Sequence, residues 1–595
     1  MTLAQMIRNR HRQWKDRTCM RVKGVDGYRD LSWDTFYGAA MDLSGALVGR
    51  GVQPQDRVAI LGHTCAEWAM ADTAILSAGA VCVPLYPALT RTELAPLLRG
   101  SGARGLFVAD AEQLDRCLPL LDEVESLEFV VVFHAGTEDF PDPRVVGLAT
   151  FRSAGGDRRQ VVEERLDGAH ADDLATIIFT SGTTGEPKGV MLSHANILSN
   201  VEASLALFDI GPGDVCLAHL PLAHILERMA GYYLMLSAGA VIAYAENIQT
   251  VAQDMGEVRP TIAVSVPRIF EKVYGGIQGK AAAAPAPVRA LTFWALRVAR
   301  RVGEREAAGR PLSAVLGLQR AVADRLVYQK VRRKLGGRLR FFISGGAPLA
   351  PELARFFNAI GVNIYEGYGL TETSPVLAVN YPGHSRVGTV GPVLPNVELR
   401  IGEDGEILAK GPSVFRGYYE NEPATREAFT ADGYFRTGDI GEITPEGFLR
   451  ITDRKKDLIV TAGGKKVAPQ KVENLLKMSK YIAEAMLYGD KKRFISALIV
   501  PDAEWLSRYA TLKQIPNPSL QELVRDEGVQ DFYSRLIADL QNKAELASYE
   551  SVKRFVLLDH EFSSEQGEVT PTLKIRRKNI TERYQAQLEA LYRED

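Results

Sequence analysis

Cysteine is scarce in this sequence, and the few present follow no pattern. Cys19, Cys65, Cys82, Cys117 and Cys216 are the five in 595 residues, with no Cys-x-x-Cys pair. None is spaced with histidines as a zinc module requires. A disulfide scaffold is excluded, the usage suits a reducing cytosol, and each thiol reads as a small buried hydrophobe. Long apolar runs are missing as well. The most apolar stretch, residues 231–245, falls short of the ~20 residues that span a bilayer. The opening MTLAQMIRNRHRQWKD has no apolar signal-peptide core. The expectation is a cytoplasmic protein that meets a membrane only peripherally, on its inner face. Net charge is nearly absent: 71 Lys and Arg stand against 73 Asp and Glu, a balance of −2. Such a chain has no overall attraction for nucleic acid.

Apolar residues make up 46% and charged residues 24%, as in a folded globular protein. The length calls for two or more domains. From Arg57, buried-strand runs such as RVAIL, AVCVPLY and GLFVAD alternate with helical periods at Ala66–Ala78 and from Thr90. DVCLAHL, AVIAYA, TIAVSV and LRFFISG continue the alternation. This pattern implies a mostly parallel sheet covered by helices. After Pro392 the segments VELRIG, GEILAKG and GFLRITD are short, β-rich and separated by glycine turns, which reads as a small antiparallel subdomain. The charged run DRKKD at 453–457 then precedes an α+β pattern. The expected fold is α/β. A large N-terminal domain of stacked sheets with helices spans 1–452, including a β-rich subdomain at 393–452. A hinge at 453–457 leads to a mobile α+β C-terminal lid domain at 458–595. There are no internal repeats, and AAAAPAP at 281–287 reads as a turn between helices.

The most informative segment is TSGTTGEPKG, Thr180 to Gly189. The strand-like TIIF at 176–179 precedes it. Gly182, Gly185 and Gly189 let the backbone approach a ligand closely, and successive N–H groups in such a loop form an anion nest. Thr180, Ser181, Thr183 and Thr184 add hydroxyls, and Lys188 adds positive charge. The loop does not match Gly-x-x-x-x-Gly-Lys-Ser/Thr and so is not the usual P-loop. Its chemistry suits a polyphosphate.

With further motifs in order along the chain, the sequence resembles the adenylate-forming enzymes, which include acyl-CoA synthetases, luciferases and peptide-synthetase adenylation domains. The resemblance runs from about residue 30 to 580. In Tyr368-Gly369-Leu370-Thr371-Glu372-Thr373 it implies that Tyr368 stacks on adenine beside Gly369, Thr371 meets the α-phosphate and Glu372 binds Mg²⁺ with Thr180. A hard carboxylate oxygen suits that ion. SGGAPL at 344–349 resembles the loop at the adenine edge, with Gly345, Gly346 and Ala347 leaving room for the base. In YFRTGD at 434–439, Asp439 corresponds to the residue that holds the ribose hydroxyls, and a carboxylate suits a cis-diol. In DRKKD, Asp453 corresponds to the pivot of the hinge and Arg454 to a ribose contact. In PTLKIRRK at 571–578, Lys574 corresponds to the catalytic lysine of the mobile domain.

The implied reaction activates a carboxylate with ATP to an acyl-adenylate, then passes the acyl group to the thiol of CoA. PLAHILER at 221–228, VPRIFEKV at 266–273 and DRKKDLIVTAGGKKVAPQKVE at 453–473 resemble the long-chain fatty acyl-CoA synthetases, which implies a fatty acid whose carboxylate lies beside His224. Chain length and oligomeric state are not legible. A fatty acyl-AMP ligase serving a carrier protein, or a non-catalytic acyl- or nucleotide-binding relative, is the alternative. Against the latter, Lys574 and Glu372 are both present. Finally, residues 280–340 hold fifteen Lys or Arg and three acids, Glu304, Glu306 and Asp324. This basic helical insert reads as a surface for anionic lipid, CoA phosphates or an acidic carrier protein.

Overall fold

The computed structural model describes residues 1–134, 140–180, 187–247, 249–516, 518–544, 546–563, 566–569 and 575–593. The chain divides into two compact units. The first comprises Met1–Arg400, Leu408–Thr437 and Ile443–Arg450; the second comprises Ile401–Ile407, Gly438–Glu442 and Ile451–Asp595.

The larger unit is built on two eight-stranded sheets. One runs, in spatial order, Gly417–Tyr418, Lys188–Ser193, Leu174–Thr180, Val81–Leu85, Arg57–Leu61, Ala103–Asp110, Phe129–His134 and Val145–Gly147. Its inner strands are parallel, with Val58 opposite Cys82 and Cys82 opposite Thr176. They are buried on both faces, which is why they read as unbroken apolar runs. The other sheet runs Val376–Val379, Asn363–Gly369, Phe341–Ser344, Ile262–Ser265, Val215–Ala218, Val241–Tyr244, Thr18–Gly24 and Gly27–Ser32. Its last two strands form an N-terminal hairpin that alternation reading from Arg57 onward overlooks. The β-rich texture after Pro392 does resolve into short strands, Glu398–Ile401, Glu406–Lys410, Phe435–Ile443 and Leu449–Arg454.

Helix His194–Leu205 shows how the sequence fixes a local element. Ser193 caps it by accepting the Asn196 N–H at 3.1 Å, and Asn196 returns the bond to the Ser193 N–H at 2.9 Å. Asn200, on the same helix, clamps both backbone groups of Val376 at 2.7 and 3.1 Å. The basic region forms helices Ala286–Ala307 and Ala314–Ala323, the first following Pro267–Ala283 across the expected alanine-proline turn. No helix among the described residues is long and apolar enough to cross a membrane. Four of the five cysteines are buried, and Cys65 is half-buried.

The smaller unit has its own core. Strands Ile482–Tyr488, Ile495–Pro501 and Val552–Leu557 form a sheet, the first pair antiparallel and the second parallel. Apolar residues of helices Pro469–Lys477, Ala503–Leu512 and Glu527–Lys543 pack on it.

Candidate active site

Strand Leu174–Thr180 returns antiparallel as Lys188–Ser193, with Thr180 opposite Lys188 as the last pair. The motif is therefore carried by a β-hairpin, unlike the strand-to-helix turn of a P-loop. Its connecting residues, including Ser181, Gly182, Thr183, Thr184 and Gly185, lie outside the described residues. Gly189 is needed for packing, because a Cβ there would sit 2.9 Å from Ile177 Cγ2.

Lys188 directs its ammonium at the ring of Tyr418, 5.1 Å from the centroid. The Tyr418 hydroxyl in turn donates to Glu372 Oε1 at 3.0 Å. The first two motifs, far apart in sequence, thus meet through a third residue. Burial, followed by the charge and hydrogen bond of Glu372, pushes the Tyr418 phenol well above its ordinary value, so it stays a neutral donor. Tyr418 is held by strand pairing with Val190 and by its N–H donating to Thr425 Oγ1 at 2.9 Å. Sequence reading missed it. FRGYY at 415–419 carries no periodic or motif signal of its own.

Tyr368 lies half-buried on strand Asn363–Gly369, opposite Ala378. The next residue has to be glycine: a Cβ on Gly369 would lie 1.7 Å from the Pro375 carbonyl oxygen. Thr371 and Glu372 follow in a short 3-10 turn, and the Glu372 carbonyl accepts the Phe415 N–H at 2.8 Å. Strand Phe341–Ser344 ends at Gly345, Gly346 and Ala347. Gly345 is buried, with its N–H on the Ser265 carbonyl at 3.2 Å. A Cβ there would press on Leu226 at 3.1 Å, so the SGGAPL loop abuts the segment that carries His224. Gly346 takes a positive φ of 79°. Glu366, also missed, accepts the Leu349 N–H of this loop at 3.3 Å. Burial pushes its carboxyl up to about 7.

His224 is half-buried, and its Nδ1 accepts the Leu226 N–H at 3.1 Å. The following residue, Glu227, is fully buried, and neither carboxyl oxygen has a hydrogen-bond partner among the described residues. Burial holds it well above the usual carboxylate range.

In the smaller unit, Arg454 Nε stands 3.2 Å from Asp439 Oδ1. Two residues assigned to one ribose from separate motifs are therefore neighbours. Asp439 is buried, while Arg454 is exposed. Asp453 is only 3% exposed. Its Oδ1 accepts the Arg454 N–H at 2.6 Å, and Oδ2 has no partner among the described residues. Burial pushes its carboxyl up to about 6, against the pull of that N–H. Lys574 lies outside the described residues.

Comparison with known proteins gives the family. The pattern of the AMP-binding enzyme family matches residues 7–419, and that of the AMP-binding enzyme C-terminal domain matches 456–595. The chain belongs to the AMP-binding enzyme family. Within it, the chain is 38% identical to the long-chain-fatty-acid–CoA ligase FadD15 of Mycobacterium bovis, over 92% of this chain and 90% of that protein. It is 32% identical to the peroxisomal long chain acyl-CoA synthetase 6 of Arabidopsis thaliana, over 97% of this chain and 84% of that protein. In fold it is similar to the adenylation domain of a carboxylate reductase from Mycobacterium chelonae. The TM-score is 0.77 at 24% identity, covering 100% of this chain and 91% of that one. The expected α/β architecture, with a large N-terminal part and a smaller C-terminal one, is the architecture of this AMP-binding enzyme.

Proposed function

We propose that the chain is an AMP-forming long-chain fatty acid–CoA ligase. The observation that carries the reading is the link from Lys188 through Tyr418 to Glu372. It sets a cation from the phosphate-loop hairpin and a carboxylate from the second motif around one phenol. Relatives named as long-chain-fatty-acid–CoA ligases over nearly the whole chain support the substrate class.

In the first half-reaction a fatty-acid carboxylate attacks the α-phosphorus of ATP, pyrophosphate leaves and an acyl-adenylate forms. An anion attacking an anion needs its charge offset. Lys188, the backbone and hydroxyl groups of residues 180–185, and Lys574 serve that purpose. Tyr368 stacks on adenine against Gly345, Gly346, Ala347 and Gly369. Thr371 meets the α-phosphate, and Asp439 with Arg454 holds the ribose. Mg²⁺ fits the donor set, since Glu372 and Thr180 offer only hard oxygens and one Glu372 oxygen is already oriented by Tyr418. When bound, it offsets phosphate charge. His224 lies beside the fatty carboxylate. In the second half-reaction the thiol of CoA attacks the acyl carbon and AMP leaves. The C-terminal domain, 458–595, turns about the hinge 453–457 at Asp453 between the steps.

The basic helices support a peripheral membrane contact. Val315 and Leu318 are 67% and 68% exposed, and Val288, Phe293, Val322 and Leu326 are also exposed beside Arg289, Arg297, Arg300 and Arg301. Apolar side chains among cations suit an anionic bilayer. Sedimentation with anionic vesicles checks this: binding falls with salt and after replacing the three arginines 297, 300 and 301, and its absence at low salt refutes the contact.

The catalytic reading is tested by pyrophosphate release across fatty acids of increasing length, with and without CoA. Fatty-acid-dependent release and CoA-dependent thioester are the expected results. Release with amino acids alone refutes the substrate class, and acyl-AMP that never passes to CoA points to a carrier protein instead.

A further inference from the structure

In the core of the larger unit lies a fully buried polar cluster that the proposed chemistry does not use. Arg228 and Asp72 are both 0% exposed and form an ion pair through Nη2 and Oδ1. Arg228 Nη1 donates to Thr176 Oγ1 at 2.7 Å, and Nε donates to the Tyr233 hydroxyl at 3.1 Å. The Tyr233 hydroxyl donates to Asp72 Oδ2 at 2.6 Å, and Thr176 donates to the Cys82 carbonyl at 2.7 Å. Each of the three guanidinium nitrogens therefore has a partner. The rings of Trp68 and Tyr233 flank the cation, with centroids at 5.5 and 5.6 Å.

The partners sit on particular elements. Thr176 is four residues before Thr180 on the strand that enters the phosphate hairpin, a distance of about 13 Å along a stiff element. Arg228 is four residues after His224, and its N–H donates to the His224 carbonyl at 3.0 Å. Asp72 belongs to helix Ala66–Ser77, and Cys82 to the strand beside Thr176. One side chain thus ties the element that presents phosphate-binding groups to the element that presents His224.

Stability alone gives little reason for such a pair. Apolar side chains of similar size often do as well in a core, because desolvating two charges offsets their attraction. What an apolar cluster lacks is direction. The guanidinium fork fixes three partners at set angles, and a misplacement of about 1 Å between reacting groups can cost on the order of 100-fold in rate.

We infer that Arg228, held by Asp72 and Tyr233, is a positioning residue for acyl-adenylate formation. It sets the phosphate-loop strand against the His224 segment, and so the α-phosphate against the fatty carboxylate. This rests on the ligase reading above. The second half-reaction no longer needs that register, since pyrophosphate has left.

Three variants of the full chain test it. Thr176→Val removes the hydrogen bond that ties Arg228 to the phosphate strand, together with the Thr176 donor to the Cys82 carbonyl. Arg228→Met combined with Asp72→Leu replaces the ion pair with apolar side chains. Folding is checked by thermal unfolding, adenylation by pyrophosphate release, and the second step by thioester formation from supplied acyl-AMP. The adenylation kcat should fall about tenfold in Thr176→Val and about 100-fold in the double variant, with KM values and the second step within about threefold of wild type. Arg228→Lys, which keeps the charge but not the fork, should fall between them. A folded double variant that adenylates within about threefold of wild type overturns the inference. So does an equal loss in both half-reactions, which marks a merely structural role. Should the double variant not fold, Thr176→Val alone decides, and an unchanged kcat overturns the inference. Wild-type enzyme that releases no pyrophosphate with any fatty acid overturns the ligase reading itself, and the positioning role with it.

Discussion

The candidate residues of the larger unit and those of the smaller unit are held in different ways. Around the phosphate hairpin, Lys188, Tyr418 and Glu372 form a continuous chain, and Tyr418 is itself fixed by strand pairing and by Thr425. Around the DRKKD run, Asp453 is buried with one oxygen lacking a partner among the described residues, and Arg454 is exposed. A group held from several sides keeps its direction, whereas an under-satisfied buried carboxylate leaves its segment with a second arrangement within reach. The first region is the more fully satisfied of the two, and the second suits the hinge proposed above.

The largest break in that contrast is expected from Lys574, in the domain proposed to turn. Lys574→Ala should lower adenylation by about 100- to 1000-fold, as removal of a charge-stabilising group does. Thioester formation from supplied acyl-AMP should be nearly unchanged. Separate assays of pyrophosphate release and thioester formation read the two effects, and equal losses in both contradict the role.

A smaller effect is expected within the first region. Tyr418→Phe keeps the ring under Lys188 and removes only the donor to Glu372. The kcat/KM for ATP should fall about tenfold, the size of one lost charge-assisted hydrogen bond, with a raised requirement for Mg²⁺. A metal titration of pyrophosphate release checks it, and an unaltered metal dependence removes Tyr418 from the site.

The hinge should reveal itself through pH. The Asp453 carboxyl is raised to about 6 in the folded protein, above the ~3.9 of an unfolded aspartate. Its contribution to stability is thus fully present below pH ~4 and lost as pH rises through ~6. Asp453→Asn resembles the protonated form. The variant should melt close to wild type at pH 4 and about 2 °C above it at pH 8. Identical melting curves at both values would show that the residue is solvated and paired.

The smallest expected change is at Glu227. Burial holds this acid neutral, so Glu227→Gln swaps one neutral group for another of the same shape. Melting should move by about 1 °C or less and activity by less than about twofold. A large loss of either would mean that the carboxyl ionises in the working enzyme.

Much of the fold was legible because burial on both faces leaves a plain trace. Strands such as Arg57–Leu61 and Ile262–Ser265 are continuous apolar runs. The N-terminal hairpin, Thr18–Gly24 with Gly27–Ser32, was not read, because its burial is partial and its residues are mixed. The site was legible where chemistry is concentrated in a short stretch, as in TSGTTGEPKG or YGLTET. Tyr418 and Glu366 escaped because each acts through a partner distant in sequence. Tyr418 reaches Glu372 across 46 positions and Glu366 reaches Leu349 across 17.

By itself, the sequence determined the family and its inventory of groups: a loop rich in glycine and hydroxyls, an aromatic and a carboxylate in a later motif, and an α/β frame to carry them. Those properties reside in side-chain type and local spacing. Only the tertiary structure decided that Lys188 and Glu372 share one phenol, that Arg454 stands against Asp439, and that Arg228 is buried among Asp72, Thr176 and Tyr233. Charge and direction at those points depend on burial and on partners from other elements, and a linear chain states neither.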